Sequence, residues 1–383
     1  MNMIPPNPPA RTARAQRPTW CEIDLAAVTA NYATIRDIVT PGTQVFICLK
    51  GDANGCGDIA VGRTVEAAGA AGLAFGNLDR ALAARAAGLQ SSIMLYPCCL
   101  PEDAPVLEEE RLMPSLSTMQ DVTLWSRHAR SLPVFLKLDG GGFRAGALPA
   151  DAVAVARAIV ESGTLSLAGA YGHPMTSYGP PDPVYTAAQI EASKAMIVAI
   201  EASGIPVPVR MVSSSAIVLS DPEADLNAVD PGRLVLGFDF PAAPGRTRSW
   251  RPVLTGLRSR LVMVKSLAET TGVMAAPFLT RRPDMRIGLI PYGWSDGFPK
   301  AMPKDAEVLI RGRRVRLLGP SHSELLRVDL TDVPEAEPGD EVVLLGRIGT
   351  VEITLDELAS MWGMAPSSLP PVIGRTLRRV YKS

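Results

Sequence analysis

The chain has 383 residues, enough for two domains with sizeable hydrophobic cores. Its 38 Lys and Arg residues balance 39 Asp and Glu residues, and this net charge of −1 argues against a nucleic-acid or anionic-membrane partner. Five Cys residues without CxxC spacing and only three His residues argue against a disulfide framework and a metal centre, and they favour a reduced, cytoplasmic compartment.

The N-terminal residues 1–18 are rich in Pro and Arg and contain no apolar segment, which predicts a disordered tail and no secretory signal. A weak organelle-targeting peptide is the alternative, because the segment contains no acidic residue. From Trp20 the sequence predicts a short strand and then a helix with Asp24 as its N-cap. Apolar strand-like runs then alternate with Ala-rich helical stretches, of which the main ones are 58–72, 78–88, 151–163 and 183–203. The predicted strands in this region are 44–50, 72–76, 92–96, 133–139, 167–173, 209–214 and 233–237.

This alternation predicts an α/β domain with a parallel sheet, and the number of units favours a closed (β/α)8 barrel of the TIM type over residues 19–249. Active sites of such barrels lie at the C-terminal ends of the strands. Lys50, Asp139, His173 and Ser214 all fall at predicted strand ends, so we expect them around one cleft.

Near residue 250 the predicted pattern changes from alternating strands and helices to short strands. Short strands separated by turns, with few helices, predict a mostly β C-terminal domain over 250–383. The Gly-rich segment GGGFRAG (140–146) follows a strand without opening a helix, so it is a weak indication of a dinucleotide-binding loop.

Two features of the predicted barrel rim indicate a functional site, namely a lysine suited to Schiff-base formation and small residues suited to binding a phosphate. Lys50 ends the apolar strand VFICL, where partial burial favours the neutral, nucleophilic amine that Schiff-base chemistry needs; a surface lysine is the alternative. The serines 213–215 and the segment Asp230-Pro231-Gly232-Arg233 are each consistent with an ordinary turn. Together, at successive strand ends, they resemble the phosphate site of barrel enzymes.

Several motifs follow one another over about residues 20–381, namely EIDLAAVTANYATIR, FICLKGDANGCG, FLKLDGGGFRAG, SSSA, VDPGRLVLG, IPYGWSDGFPK and GRRVRLLGPSHSELLRVDLT. In order and spacing they resemble the motifs of the alanine racemase family of fold-type III enzymes, which use pyridoxal 5'-phosphate (PLP). This resemblance implies a PLP cofactor, an amino-acid substrate, no metal, and a homodimer whose active sites contain residues of both subunits.

The resemblance also assigns site residues. Lys50 falls on the Schiff-base lysine, and Lys137 falls on a lysine that is carbamylated in part of the family. The other positions that match cofactor-binding residues are Asn54, Arg144, His173, Ser214, Asp230, Gly232, Arg233 and Arg375. The positions that match substrate-binding residues are Arg144, Ser323 and Glu324.

The sequence departs from the family at functional positions. Trp294 replaces the tyrosine that serves as the second base, and an indole N–H only donates. Tyr292 or His322 would then have to act on the opposite face of Cα. Asp230 replaces the arginine beside the pyridine nitrogen of PLP, and a carboxylate there favours the protonated ring, a stronger electron sink; a turn-capping role is the alternative.

These features leave three functional hypotheses. The resemblance implies a PLP-dependent amino-acid racemase or epimerase that removes the Cα proton through an aldimine on Lys50, with Tyr292, Trp294 and His322 near the reacting carbon. The departures favour a lyase-type reaction at Cα, such as aldol cleavage or decarboxylation. The third hypothesis is a cofactor-binding protein without turnover.

Overall fold

The computed structural model of the chain describes residues 16–175, 182–267 and 284–383. The tail predicted over 1–18 lies outside the described residues up to residue 15. Within the described ranges, no helix is both long enough and apolar enough to cross a membrane.

The described chain forms two compact units. The first is Asp24–Val253, and the second is Leu254–Tyr381 together with the N-terminal residues as far as Ile23. The first strand, β1 (Trp20–Asp24), pairs antiparallel with residues 254–258. We expected this strand in the barrel, but its hydrogen bonds make it part of the sheet of the second unit.

The first unit alternates strands and helices, as predicted. Its strands are β2 (Gln44–Cys48), β3 (Gly72–Phe75), β4 (Ser92–Leu95), β5 (Leu112–Met113), β6 (Ser115–Leu116), β7 (Leu132–Lys137), β8 (Leu165–Tyr171), β9 (Val209–Ser213) and β10 (Ala228–Val229). Its helical segments are α1 (Leu25–Ile38), α2 (Lys50–Asn54), α3 (Asp58–Ala67), α4 (Leu78–Ala86), α5 (Ala104–Glu109), α6 (Met119–His128), α7 (Ala152–Glu161), α8 (Pro183–Ala202) and α9 (Ser215–Ser220). Of these, α2 is a left-handed turn rather than an α-helix.

The strands of the first unit form one parallel sheet that nearly closes. Its order is β5-β4-β3-β2-β10-β9-β8-β7-β6, so β5 and β6 occupy its two ends. In the chain these two strands are separated only by Pro114, which cannot donate a ladder hydrogen bond. If β5 and β6 are counted as one interrupted strand, the barrel has eight strands, and the predicted (β/α)8 barrel is confirmed.

One predicted strand is wrong. Residues 233–237 form turns, and the last barrel strand is β10, which pairs with β2 and β9. The reason is the buried Ser215, whose Oγ accepts hydrogen bonds from the backbone N–H groups of Gly232, Arg233 and Leu234 at 3.0, 2.9 and 3.3 Å. These amides are therefore not available to a strand ladder.

Aromatic and aliphatic side chains fill the barrel interior. Phe135 packs edge-on against both Phe46 and Tyr171, at ring-centroid distances of 6.3 and 6.2 Å. Such edge-to-face contacts fix ring orientation as well as bury area. The buried cluster consists of Phe46, Ala74, Met94, Tyr96, Phe135, Tyr171, Met211 and Ala228.

The second unit is mostly β, as predicted. Its sheet has the order β12-β13-β16-β15-β14-β17-β11-β1-β19, and β18 pairs with β17. The strands are β11 (Leu254–Arg260), β12 (Met263–Ser266), β13 (Arg286–Ile290), β14 (Glu307–Ile310), β15 (Arg313–Leu318), β16 (Leu326–Asp329), β17 (Glu341–Ile348), β18 (Val351–Ile353) and β19 (Arg378–Lys382). The helices are α10 (Leu355–Trp362) and α11 (Leu369–Ile373).

Candidate active site

Lys50 lies just beyond the C-terminal end of β2, at the start of an unusual turn. The four residues that follow, 51–54, all have left-handed backbone angles, with φ of 65°, 59°, 50° and 48°. Three of the four are not glycine, and each such residue costs ~1–2 kcal/mol in this conformation. The turn that presents Lys50 therefore needs support from its surroundings.

A network of two carboxylates and one guanidinium supplies that support. Asp52 accepts hydrogen bonds from the backbone N–H of Asp58 at 2.9 Å and from Arg80 at 2.8 Å. Arg80 also donates to the fully buried Asp58, with its Nε 2.7 Å from Oδ2. Burial and the charge of Asp52 raise the pKa of Asp58, against the lowering effect of Arg80. The network borders an open cleft of about 330 Å³ that Lys50 also lines.

A second cluster at the barrel mouth contains Asp230, which is 2% exposed. Its Oδ2 accepts a hydrogen bond of 2.7 Å from the hydroxyl of Tyr96 and lies 3.8 Å from Nδ1 of His173. Lys50 Nζ lies 4.2 Å from the centroid of the Tyr96 ring. Residues at the ends of β2, β4, β8 and β10 thus meet around one buried carboxylate.

The protonation states in this cluster follow from burial. Burial and the negative charge of Asp230 raise the pKa of Tyr96 well above its usual value, so its hydroxyl remains a donor. Burial lowers the pKa of His173, and Asp230 opposes this shift. The buried Nδ1 of His173 has no hydrogen-bond partner among the described residues.

Lys137 is the other lysine of the mouth and is 4% exposed. Burial, followed by the positive charge of Arg144, lowers its pKa to about 7. Its Nζ donates to the carbonyl of Leu138 at 3.2 Å and lies 4.6 Å from the centroid of the Tyr171 ring. With Arg144 and His173 it lines a narrow cleft.

Asp139 anchors the Gly-rich loop that carries Arg144. Its carboxylate accepts four backbone N–H groups, from residues 141–143 at 2.9, 2.7 and 3.1 Å and from Arg144 at 3.0 Å. Burial alone would raise the pKa of Asp139, but these four donors lower it below its usual range. Asp139 therefore positions Arg144 at the rim of the first unit.

The three serines 213–215 have different roles. Ser213 donates to the carbonyl of Ala224 at 2.6 Å, and Ser215 is the acceptor of the turn described above. Ser214 is the N-cap residue of α9, and its hydroxyl has no hydrogen bond within the described chain.

At Gly232 a Cβ atom would lie 2.8 Å from the carbonyl oxygen of Cys48, so only glycine fits there without a shift. A free hydroxyl, a helix start and close backbone make a suitable phosphate cradle.

The predicted residues of the second unit divide into an exposed and a buried set. Trp294 is 39% exposed, and its backbone N–H donates to the carbonyl of the exposed His322 at 3.0 Å. Ser323 and Glu324 are also exposed, and with Trp294 and His322 they form what we call the C-terminal patch. Arg375 is exposed after α11.

Tyr292 lies inside the second unit instead. Its ring is fully buried and packs edge-on against Phe298 at a centroid distance of 6.2 Å. Burial raises its pKa well above the usual value, and its hydroxyl has no partner in the described part of the chain.

The structure thus brings Lys50, His173 and Asp230 together in the first unit, with Ser214 and Gly232 on neighbouring strand ends. Asn54 lies in the left-handed turn, and the guanidinium of Arg233 stacks on Phe240 at 4.6 Å. Sequence reasoning missed Tyr96, the residue that connects Lys50 to Asp230. Its position at the end of the predicted strand 92–96 was the available signal.

Comparison with known proteins identifies the family. The family models "Alanine racemase, N-terminal domain" and "Alanine racemase, C-terminal domain" match residues 23–239 and 254–381. The chain belongs to the alanine racemase family. An alanine racemase from Desulfovibrio desulfuricans is 30% identical over 369 residues, covering 95% of this chain and 98% of that protein.

Other alanine racemases give the same result. The enzyme from Symbiobacterium thermophilum is 30% identical over 95% of this chain and 97% of its own length. The structure of alanine racemase from Streptomyces coelicolor A3(2) superposes with a TM-score of 0.82 at 30% identity, covering 95% of this chain and 97% of that one. The chain is therefore an enzyme of the PLP-dependent racemase type.

Enzymes of this family use PLP, and the mouth of the barrel fits that group. It offers an amine at a strand end, an unpartnered buried imidazole nitrogen and the cradle at Ser214 and Gly232. We conclude that the residues present can hold an aromatic aldehyde with a phosphate group.

Proposed function

We propose that this chain removes and returns the Cα proton of an amino acid, with Lys50 as the acid–base group on one face. The observation that carries the proposal is the cluster of Lys50, Tyr96 and Asp230 at the barrel mouth. PLP, when bound, supplies an electron sink that stabilises negative charge at Cα. Lys50 would hold the cofactor and then exchange the proton.

Asp230 would hold the ring nitrogen of PLP in its protonated form. A buried carboxylate is costly unless a cation or several donors satisfy it. Among the described residues its side chain accepts one hydrogen bond, from Tyr96, and Nδ1 of His173 lies 3.8 Å away. A protonated pyridine nitrogen would supply a positive partner for Asp230, and the protonated ring would be a stronger electron sink.

The cradle at Ser214 and Gly232 would bind the phosphate of PLP, with Arg233 adding positive charge. Asn54 in the left-handed turn and Arg375 in the second unit are further proposed phosphate-side residues. Arginine offers several donors in a fixed geometry that suits phosphate oxygens.

The opposite face of Cα would be served by His322. Trp294 cannot move a proton, and Tyr292 is buried in its own unit. His322 is exposed and lies beside Trp294, so it can face another subunit. We propose a homodimer in which the C-terminal patch completes the partner's site, with Arg144, Ser323 and Glu324 contacting the substrate.

A one-face reaction at Cα is the second candidate. The burial of Tyr292 and the indole at position 294 favour it, because both remove a phenol from the opposite face. Aldol cleavage or decarboxylation would then use Lys50 and Asp230 alone.

The test is a panel of L- and D-amino acids, including β-hydroxy and basic ones, incubated with the holoenzyme in D2O. The proposal predicts deuterium at Cα by NMR and formation of the other enantiomer by chiral chromatography. Release of an aldehyde or carbon dioxide without inversion would support the second candidate instead.

The five free cysteines are consistent with a reducing compartment, and we propose the cytoplasm.

A further inference from the structure

Tyr96 is held rigidly at the centre of the barrel mouth. Its backbone N–H donates to the carbonyl of Phe75 at 2.9 Å, which continues the pairing of β4 with β3. Its ring packs edge-on against Tyr171 at 5.9 Å and against His173 at 6.4 Å. The side chain is buried, so these contacts leave its hydroxyl few alternative positions.

Two different parts of Tyr96 contact two different functional groups. Its hydroxyl donates to Oδ2 of Asp230 at 2.7 Å, and its ring face lies 4.2 Å from Nζ of Lys50. The other carboxylate oxygen of Asp230 accepts no hydrogen bond within the described residues. Tyr96 therefore orients Asp230 with one oxygen occupied and the other free.

We propose that Tyr96 is a positioning residue that occupies one carboxylate oxygen of Asp230 and leaves the other oxygen for the ring nitrogen of PLP, while its ring contacts Lys50. This inference rests on the proposed role of Asp230. In this proposal one tyrosine orients both Asp230, which would hold the proton on the ring nitrogen, and Lys50, whose amine would hold the cofactor.

The physical basis is the competition for one proton between a carboxylate and the ring nitrogen. A donated hydrogen bond stabilises the charged carboxylate and so favours the protonated ring. A hydrogen bond to a charged group corresponds to about a tenfold to hundredfold change in such an equilibrium. The other titratable or charged groups that act on this cluster are Lys50, Lys137, His173, Cys48, Tyr171, Arg144 and Asp139. None of them donates to Asp230 as Tyr96 does.

The decisive variant is Tyr96→Phe, which removes the hydroxyl and keeps the ring. Holoenzyme carrying PLP labelled with 15N at the ring nitrogen should show that nitrogen shifted toward its unprotonated resonance. The shift should correspond to a loss of about tenfold or more in the ratio of protonated to unprotonated ring. Borohydride should still attach PLP to Lys50, because the aromatic ring at position 96 that contacts the Lys50 amine remains.

Two further variants distinguish failure of the proposed role of Asp230 from failure of the inference about Tyr96. Tyr171→Phe removes a buried hydroxyl of the same cluster that lies 2.9 Å from Ser115 instead, so the 15N resonance should stay in place. Asp230→Asn should move the resonance at least as far as Tyr96→Phe does. If Asp230→Asn leaves it unchanged, the proposed role of Asp230 fails. If Asp230→Asn moves it and Tyr96→Phe does not, only the inference about Tyr96 is overturned.

A folding control keeps the result interpretable. The far-ultraviolet circular dichroism and Tm of Tyr96→Phe are compared with those of Tyr171→Phe. A 15N shift that appears equally in both variants would indicate general loosening of the cluster and would contradict the inference.

Discussion

Lys137 and Asp230 are each almost fully buried at the barrel mouth, and their environments act on them differently. Lys137 has one carbonyl acceptor, and burial and the guanidinium of Arg144 lower its pKa more than Asp230 and Asp139 raise it. Asp230 has the Tyr96 hydroxyl as donor and the imidazole of His173 close by. Two side chains at similar depth thus have different hydrogen-bond and charge environments.

Lys137 makes stability depend on pH. Its pKa is about 7 in the folded protein and ordinarily 10.5, so between these values the unfolded chain binds more protons. The free energy of unfolding should therefore rise with pH from 7 to about 10, by up to about 1.4 kcal/mol per pH unit for this one group. Urea denaturation of the wild type and of Lys137→Met checks this, since the variant lacks the titrating amine. Parallel pH profiles for the two proteins would contradict the assignment.

The second base is the next residue-scale prediction. His322→Gln should slow racemisation in both directions by about a hundredfold to ten-thousandfold, the usual contribution of a general acid–base group. Deuterium exchange on the Lys50 face should remain. Tyr292→Phe is the matched control, because it removes a buried hydroxyl without a partner in the described chain and should leave the rates unchanged. The reverse pattern would assign the role to Tyr292.

At the scale of elements, the barrel strands were predictable where an apolar run and flanking turns coincide. β2, β3 and β4 lie within predicted strands because their residues are nearly all apolar. β5 and β6 were missed, since two-residue strands on either side of Pro114 have no measurable period. Residues 233–237 have strand composition, but the hydroxyl of Ser215 holds the amides that precede and begin this segment. Such side-chain to backbone competition is not visible in a local pattern.

The left-handed turn after β2 was likewise not predictable, because Asp52, Ala53 and Asn54 are ordinary residues in sequence terms. Its support comes from Asp58 and Arg80, which are 22 residues apart in the chain. Position at predicted strand ends and the family motifs identified Lys50 and the serine motif, whereas Tyr96 and the Asp52–Asp58–Arg80 network became apparent only from three-dimensional contacts.

Arg80→Ala should destabilise the protein by about 3 kcal/mol, because it leaves the buried Asp58 without its cation. The partly exposed guanidinium places this at the lower end of the usual range for buried pairs. Arg80→Ala combined with Asp58→Asn should recover much of the loss, as measured by urea denaturation. Additive losses in this double-mutant cycle would show that the two side chains do not interact.

At the scale of the whole molecule, the proposed site needs two subunits. Lys50, Asp230 and Ser214 lie in the barrel unit, and His322 lies in the C-terminal patch of the other unit. In a twofold-symmetric dimer, two patches would complete two sites. The family resemblance gave this expectation, and the exposure of the patch is consistent with it.

Subunit complementation tests the shared site. Lys50→Ala and His322→Gln homodimers should both be slow, while a mixed dimer would contain one site with both residues intact. Random subunit exchange should then restore about a quarter of wild-type activity, since half of the dimers are mixed and each has one complete site. No recovery in a mixture that has demonstrably exchanged subunits would place both residues of a site in the same chain.

The central claim is that Lys50 is the residue that holds the cofactor, and covalent trapping tests it most directly. The holoenzyme is reduced with borohydride, digested, and mapped by mass spectrometry for the peptide that carries the reduced cofactor. The account predicts one labelled residue, Lys50, at the end of β2. Lys137, the other lysine of the barrel mouth, is the natural competitor. Label on Lys137, or on any residue other than Lys50, would contradict the account.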